Sequence, residues 1–349
     1  MSELTWPGLL SDLLGGQDLD PSQAEWAMDQ ILTDSSSPAQ MAGFVVALRA
    51  KGETISEISA LADVMLSKAT PVELSPEAVD VVGTGGDRAN TVNISTMAAI
   101  VAASTGRPVI KHGNRAASSM CGTADCLEAL GAVLEVPPDK QPEVLERAGM
   151  VFLFAKLYHA SLRFAGPTRK DLGIQTVFNF LGPLTNPAHP RAQAIGVADG
   201  RMAGLIAGVL AARGNRGLVF HGEDGLDELT TTNLTDVWLI SGGEIKQTTL
   251  DATALGLAAA HPEDLVGGDP QHNAAVVRSV LRNEQGPVFD VVMLNAAAAM
   301  LAFDGPKLDE PLEQQVLSRI DEARAIVANG RAQDFLDNWI AVTHEVSGA

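Results

Sequence analysis

The sequence predicts an α/β protein: a small all-α N-terminal domain plus a larger α/β domain with a central, mostly parallel sheet flanked by helices. Three observations predict it. The first seventy residues carry only helical apolar spacing. From Ala78 onward short apolar runs alternate with helical stretches, the pattern of parallel strands joined by crossover helices. The composition, with 33 Gly, 4% aromatic residues and a single tyrosine, Tyr158, suits packed helices and glycine turns better than an aromatic β-sandwich.

The elements follow in order. Asp20-Pro21 is an N-cap followed by proline at the first helical position, and Ala24, Ala27, Met28, Ile31 and Leu32 recur at helical spacing. Ser37-Pro38 opens a second helix with a Met41, Phe44, Val45, Leu48 stripe, closed by Lys51-Gly52. Ile55, Ile58, Leu61, Ala62 and Met65 form a third stripe before Pro71. The pattern then changes. Ala78–Val82 is a buried-strand run feeding a glycine loop, and Pro108–Lys111, Met150–Ala155, Ala192–Val197 and Leu218–His221 also read as strands. Helical patterns lie between them at Thr96–Ala103, Thr123–Leu130, Pro142–Ala148 and Arg201–Ala212, and the tail after Pro270 is mainly helical. Pro187, Pro190 and Val266–Pro270 mark loops.

Charge and composition exclude several classes. The 349 residues hold 24 basic and 43 acidic side chains, net −19, a field that repels polyphosphate and disfavours nucleic acid and anionic membranes. Met202–Ala212 and Val291–Phe303, the longest near-continuous apolar stretches, fall short of the roughly 20 residues that span a bilayer. Positions 1–48 contain no Lys or Arg, so no signal-peptide n-region is expected. Cys121 and Cys126, expected within one helix at a spacing unsuited to a bridge, read as reduced thiols of a cytoplasmic protein.

Four segments look like chemistry. Gly83-Thr84-Gly85-Gly86-Asp87 follows the first strand and precedes Asn93-Ile94-Ser95-Thr96, which opens a helix; such a loop turns its amides toward phosphate or diphosphate, or is an ordinary tight turn. Lys111-His112-Gly113-Asn114-Arg115-Ala116-Ala117-Ser118-Ser119 ends the next strand, with Cys121-Gly122-Thr123 beyond, and places two donor-rich loops at one crevice; His112 and Arg115 could instead pair with carboxylates elsewhere. His221–Leu229 packs Glu223, Asp224, Asp227 and Glu228 into a glycine loop suited to Mg²⁺, or to a solvated surface. Phe154–Pro187 carries His159 and Arg169, an arginine able to fork onto a carboxylate ligand.

Together these segments, as GTGGD at 83–87, NIST at 93–96, KHGNRAASS at 111–119, GPTRKDLGIQTVFNFLGPLTNP at 166–187 and HGEDGLDELTTT at 221–232, resemble the anthranilate phosphoribosyltransferase family over essentially the whole chain. The resemblance implies a helical domain at 1–72, joined in space by part of 165–187, and a catalytic α/β domain at 73–349. It implies transfer of the 5-phosphoribosyl group from 5-phosphoribosyl 1-diphosphate to the amine of anthranilate, releasing diphosphate, the second step from chorismate to L-tryptophan. Two Mg²⁺ ions per subunit, a homodimer built through the helical domain and a cytoplasmic location are implied as well. Gly83, Gly86, Asp87, Thr91, Asn93, Ile94, Ser95, Thr96, the Lys111–Ser119 run and Thr123 would hold phosphoribosyl diphosphate. Ser95, Asp227 and Glu228 would bind metal. Gly83, Asn114 and Arg169 would contact anthranilate, with His112 and His159 along its path. No covalent nucleophile is expected. The chain departs from many relatives at Ala160-Ser161-Leu162, Gln175 and Lys156, changes expected to tune substrate affinity. The competing readings are a pyrimidine nucleoside phosphorylase, which the acidic pair at 227–228 and the Lys111–Ser119 run oppose, and a non-catalytic nucleic-acid-binding relative, which the charge opposes.

Overall fold

The computed structural model describes residues 4–116 and 120–348, so the expected phosphate-loop positions Ala117, Ser118 and Ser119 lie outside the described residues. Four helices come first: α1 (Trp6–Leu14), α2 (Pro21–Leu32), α3 (Pro38–Lys51) and α4 (Ile55–Ser67). Thr5, Asp20, Ser37 and Thr54 cap them, and Gln23, Gln40 and Glu57 return the bond at the last three to complete capping boxes. Glu57 is fully buried and does more: it also accepts from the Leu19 amide at 2.8 Å and the Lys51 ammonium at 3.0 Å. Those donors balance a carboxylate that would otherwise be expensive to bury.

The remaining chain alternates. In order come β1 (Val79–Gly83), α5 (Ile94–Ser104), β2 (Val109–Gly113), α6 (Thr123–Leu130), α7 (Gln141–Ala148) and β3 (Met150–Phe154). Three short helices, α8 (Ala155–Tyr158), α9 (Gly166–Leu172) and α10 (Phe178–Leu181), return the chain to β4 (Ala192–Gly196), α11 (Gly200–Ala212) and β5 (Arg216–Gly222). A hairpin of β6 (Thr235–Ser241) and β7 (Glu244–Leu250) precedes α12 (Pro270–Leu281), α13 (Pro287–Asp304), α14 (Leu312–Ala328) and α15 (Arg331–Ser347). The seven strands lie in the order β3-β2-β1-β4-β5-β6-β7, parallel through β5 and antiparallel for β6 and β7.

The expected helical unit, mostly parallel sheet and helical tail are all present. The hairpin is an addition: Gly242 and Gly243 both take positive φ, 60° and 82°, the geometry that reverses a chain between two strands in two residues. The cysteines also differ from expectation. Cys126 is inside α6 but Cys121 precedes it, with Gly122 at the cap between them, and neither is in a disulfide.

One core surrounds α5, α13 and the sheet face they cover; the other joins the N-terminal helices to α11, Ile195, Val197 and a stretch of the returning segment that includes Ala165, Val177, Phe180 and Leu184. Helix α13, 18 residues long, is apolar enough by length and composition to cross a membrane, yet Val291–Ala302 are all buried within the protein. It is the central core helix. This layering puts the carboxyl ends of β1, β2, β4 and β5 at one edge, and the β1–β4 boundary is where strand order reverses, the place where open α/β sheets bind ligands.

Candidate active site

A cleft of about 390 Å³ opens at that edge, lined by the β1 loop, the start of α5, the end of β2, Thr123, Asp227-Glu228, and His159, Leu162, Arg169 and Phe178 of the returning segment. Four sequence-distant motifs thus meet in one cavity. Gly85 and Gly86 take φ of 68° and 87°, which lets the loop curl, and no side chain caps α5.

The acidic loop after β5 divides its four carboxylates between two jobs. Asp224 accepts from the Leu226 amide at 3.1 Å and from the Thr230 and Thr232 hydroxyls, so it ties the loop to itself, and Glu223 is exposed. Asp227 and Glu228 are buried and join Asp87, with one oxygen from each lying within 4.8 Å of the others. Burial pushes the Asp227 carboxyl up to about 6, with the Asp87 charge adding to it, and raises Glu228 well above the usual carboxylate range. Among the described residues Glu228 Oε2 has no hydrogen-bond partner. Three converging carboxylates with an unsatisfied oxygen fit a hard divalent cation. The sequence reading had Asp87 as a substrate contact only; its nearness to the other two becomes visible once β1 and β5 are neighbours of β4.

Lys111 lies fully buried beneath this cluster. Its ammonium donates to the Val81 carbonyl and to Ser95 Oγ at 3.2 Å, and burial lowers it to about 8 against the opposing pull of Asp80, Glu228 and Asp227. Asp80, inside the apolar run of β1, accepts from the His112 amide at 3.1 Å and from Asn186 Nδ2 at 2.9 Å; burial raises it to about 6. Sequence reasoning missed Asp80. A lone acid in an otherwise apolar buried strand was the available signal.

His112 and His159 pack with ring centres 5.3 Å apart and planes inclined at 59°, and both are pinned to one loop, His112 Nδ1 facing the Gly182 carbonyl at 3.3 Å and His159 Nε2 the Thr185 carbonyl at 2.8 Å. Burial keeps both neutral, lowering His112 to about 3 with His159 adding to the effect. Arg169 lies over the Phe178 ring at 5.4 Å; burial lowers its guanidinium, and among the described residues no carboxylate pairs with it. Arg115 behaves otherwise: its guanidinium bonds Asp125 and Glu128 at 2.8 and 2.6 Å and turns toward α6. Asn114 and Thr123 line the cleft, as do Gly113, Ala116, Thr91 and Ile94, while Thr96 is buried behind it.

Glycines make the close approaches possible. A Cβ at Gly83 would overlap Asp227 Oδ2, one at Gly196 the Asp227 carbonyl oxygen, and one at Gly86 would come within 2.5 Å of Gln175 Nε2. Gln175 donates to the Gly86 carbonyl at 3.1 Å, so the arginine-bearing segment touches the phosphate-type loop directly.

Comparison with known proteins agrees with the geometry. Residues 75–333 match the glycosyl transferase family a/b domain and 7–69 its helical bundle domain. Anthranilate phosphoribosyltransferases of Arthrobacter sp. (strain FB24) and Acidothermus cellulolyticus are each 52% identical to this chain, covering 97% and 99% of it and 96% and 97% of themselves. The crystal structure of the Thermus thermophilus enzyme is 39% identical with a TM-score of 0.88, over 96% of this chain and 99% of that one. The Saccharomyces cerevisiae enzyme in complex with PRPP and Mg is 27% identical with a TM-score of 0.87, over 99% of both chains. A carboxylate cluster and a glycine loop lining one cleft with Arg169, and near-complete coverage at half identity, converge on one conclusion: the chain belongs to the anthranilate phosphoribosyltransferase family of pentosyltransferases.

Proposed function

We propose that the cleft holds 5-phosphoribosyl 1-diphosphate across the loops after β1 and β2, with two Mg²⁺ ions at Ser95, Asp227 and Glu228, and anthranilate against Arg169. The observation that carries this reading is the carboxylate cluster at 227–228 and 87, which lines one cleft with the glycine loop after β1 and the start of α5. When bound there, Mg²⁺ supplies the positive charge that offsets diphosphate as it departs. Gly86 and Asp87 of the loop and Ser95 in the first turn of α5 donate amides to the phosphate groups, and Lys111 orients the Ser95 hydroxyl.

Anthranilate already carries a neutral amine with a free lone pair, so no base must remove a proton before attack. Arg169 forks onto its carboxylate and the Phe178 face gives its ring an apolar wall. His112 and His159, held neutral by burial, line the approach without competing with Arg169 for the carboxylate. Catalysis then rests on alignment and charge neutralisation. Arg115 contributes its place in the loop rather than its charge, which Asp125 and Glu128 already use.

The same reading includes a homodimer through the helical unit: Leu14 of α1, 81% exposed, and Val46 of α3, 40% exposed, are apolar side chains left open on neighbouring helices. A cytoplasmic site of action accords with its biosynthetic substrates. The test mixes protein, anthranilate, phosphoribosyl diphosphate and Mg²⁺ and follows loss of anthranilate fluorescence. A loss that needs protein, phosphoribosyl diphosphate and Mg²⁺ together is expected; its absence overturns the proposal. Calorimetric titration counts the ions, and light scattering of wild type against Leu14→Glu reads the assembly.

A further inference from the structure

Asparagine is among the best N-capping residues, yet Asn93, at the N-cap position of α5, makes no cap bond. Two constraints hold it away. Its backbone, at φ −74° and ψ 68°, is the centre of an inverse γ-turn closed by the Ile94 amide on the Val92 carbonyl at 2.7 Å. Its side chain is engaged elsewhere. Asn93 Oδ1 accepts from Asn273 Nδ2 at 2.9 Å and from the Cys121 thiol at 3.4 Å, while Asn93 Nδ2 donates to the Cys121 carbonyl at 3.2 Å.

Asn273 is suited to hold it. It is 2% exposed on α12, and its own Oδ1 accepts from the Gly268 amide at 2.8 Å, which fixes the side chain. The strand of chain before it runs along the cleft loop: the Val92 amide reaches the Leu265 carbonyl at 2.9 Å, the Gly267 amide reaches the Asn90 carbonyl at 2.8 Å, and Thr91 bridges Val266. A Cβ at Gly267 would lie 2.8 Å from the Thr91 carbonyl oxygen and 3.0 Å from Asn273 Oδ1, so a glycine is needed for this approach.

We propose that Asn273 is a positioning residue for phosphoribosyl diphosphate: by holding the Asn93 carboxamide, it keeps the Ser95 amide in the first turn of α5 open to phosphate, the Ile94 and Thr96 amides being bonded to the Val92 and Asn93 carbonyls. The inference rests on the proposed phosphate site at that helix end. Without Asn273 the carboxamide keeps only its two weaker bonds to Cys121, at 3.2 and 3.4 Å, and it exchanges them for the Ser95 amide, which is then lost to the ligand. Substrate affinity falls without any contact residue having changed.

The test compares Asn273→Ala and Asn273→Asp with wild type, in both the fluorescence assay and calorimetric binding of phosphoribosyl diphosphate with Mg²⁺. Aspartate keeps the acceptor for Gly268 but offers Asn93 no donor, and alanine shows whether an added charge matters. Both variants are expected to weaken phosphoribosyl diphosphate binding about tenfold, with the KM for anthranilate and saturated kcat within about twofold. Asn93→Ala is the second arm: adding Asn273→Ala to it should bring no further loss, because no carboxamide remains to swing. Wild-type binding in both Asn273 variants overturns the proposal, as does an equal rise in both KM values with a lowered Tm, which marks general support of the fold. A wild-type protein that binds no phosphoribosyl diphosphate removes the underlying site and the proposal together.

Discussion

Asp227 Oδ2 accepts a hydrogen bond from the Gly85 amide at 2.7 Å, so the metal-type carboxylate after β5 and the glycine loop after β1 are a single unit. The contact crosses the sheet at the β1–β4 boundary, and Gly83 and Gly196 leave the room for it. Gly196→Ala sets a methyl against the Asp227 backbone, which has no alternative position. Turnover is expected to fall by about 10²-fold, with a Tm several degrees lower. Gly83→Ala meets only the Asp227 carboxylate, which swings aside, so turnover falls while Tm stays close to wild type. Steady-state kinetics beside thermal melts separate the two, and wild-type turnover in Gly83→Ala would show that the carboxylate position is irrelevant.

Arg169 is a cation of the cleft wall without a carboxylate partner among the described residues. Arg169→Ala should raise the KM for anthranilate by about 10- to 100-fold, the range set by losing a charged hydrogen bond, and leave the KM for phosphoribosyl diphosphate within about threefold. Lysine at this position recovers part of the loss, as a point charge without the fork. Equal effects on both substrates would place Arg169 elsewhere in the mechanism.

How far these residues could be read from sequence depends on whether their role is local. Gly85 and Gly86 follow from nearby residues, and the capping boxes at Asp20, Ser37 and Thr54 do so even more directly. The β6–β7 hairpin was equally local, since Gly242-Gly243 sits between two strand-like runs, but its exposed second strand lacks the apolar alternation that flags a strand. Asp80 and Asn273 are of another kind. Their partners, His112 and Asn186 for one and Asn93 for the other, are 32, 106 and 180 positions away, and the pairing exists only after the sheet has formed. The split of the acidic loop into structural Asp224 and cleft-facing Asp227 likewise depends on how the Thr230 and Thr232 hydroxyls turn.

Asp80 gives a pH signature. Its folded value is about 6, raised by burial, against about 3.9 for an unfolded chain. Between those values the folded state binds more protons than the unfolded state, so this group's contribution to stability falls as pH rises from about 4 to about 6. The Tm of wild type relative to Asp80→Asn should therefore decline across that window and flatten above it. Parallel Tm curves for the two proteins would assign Asp80 an ordinary carboxylate titration.

Gln175 tests whether the two substrate halves are mechanically joined. Its Nε2 donates to the Gly86 carbonyl at 3.1 Å, the one side-chain hydrogen bond between the Arg169-bearing segment and the β1 loop among the described residues. A single neutral hydrogen bond contributes about 1 kcal/mol, or about fivefold in an equilibrium constant. Because the bond spans both halves, Gln175→Ala should raise both KM values by roughly that factor, unlike Arg169→Ala, which acts on anthranilate alone. Combining the two substitutions sharpens the point. If Gln175 positions Arg169, its effect on the anthranilate KM disappears in the Arg169→Ala background while its effect on phosphoribosyl diphosphate persists. Strict additivity for anthranilate would show that the Gln175–Gly86 bond shapes only the phosphate loop.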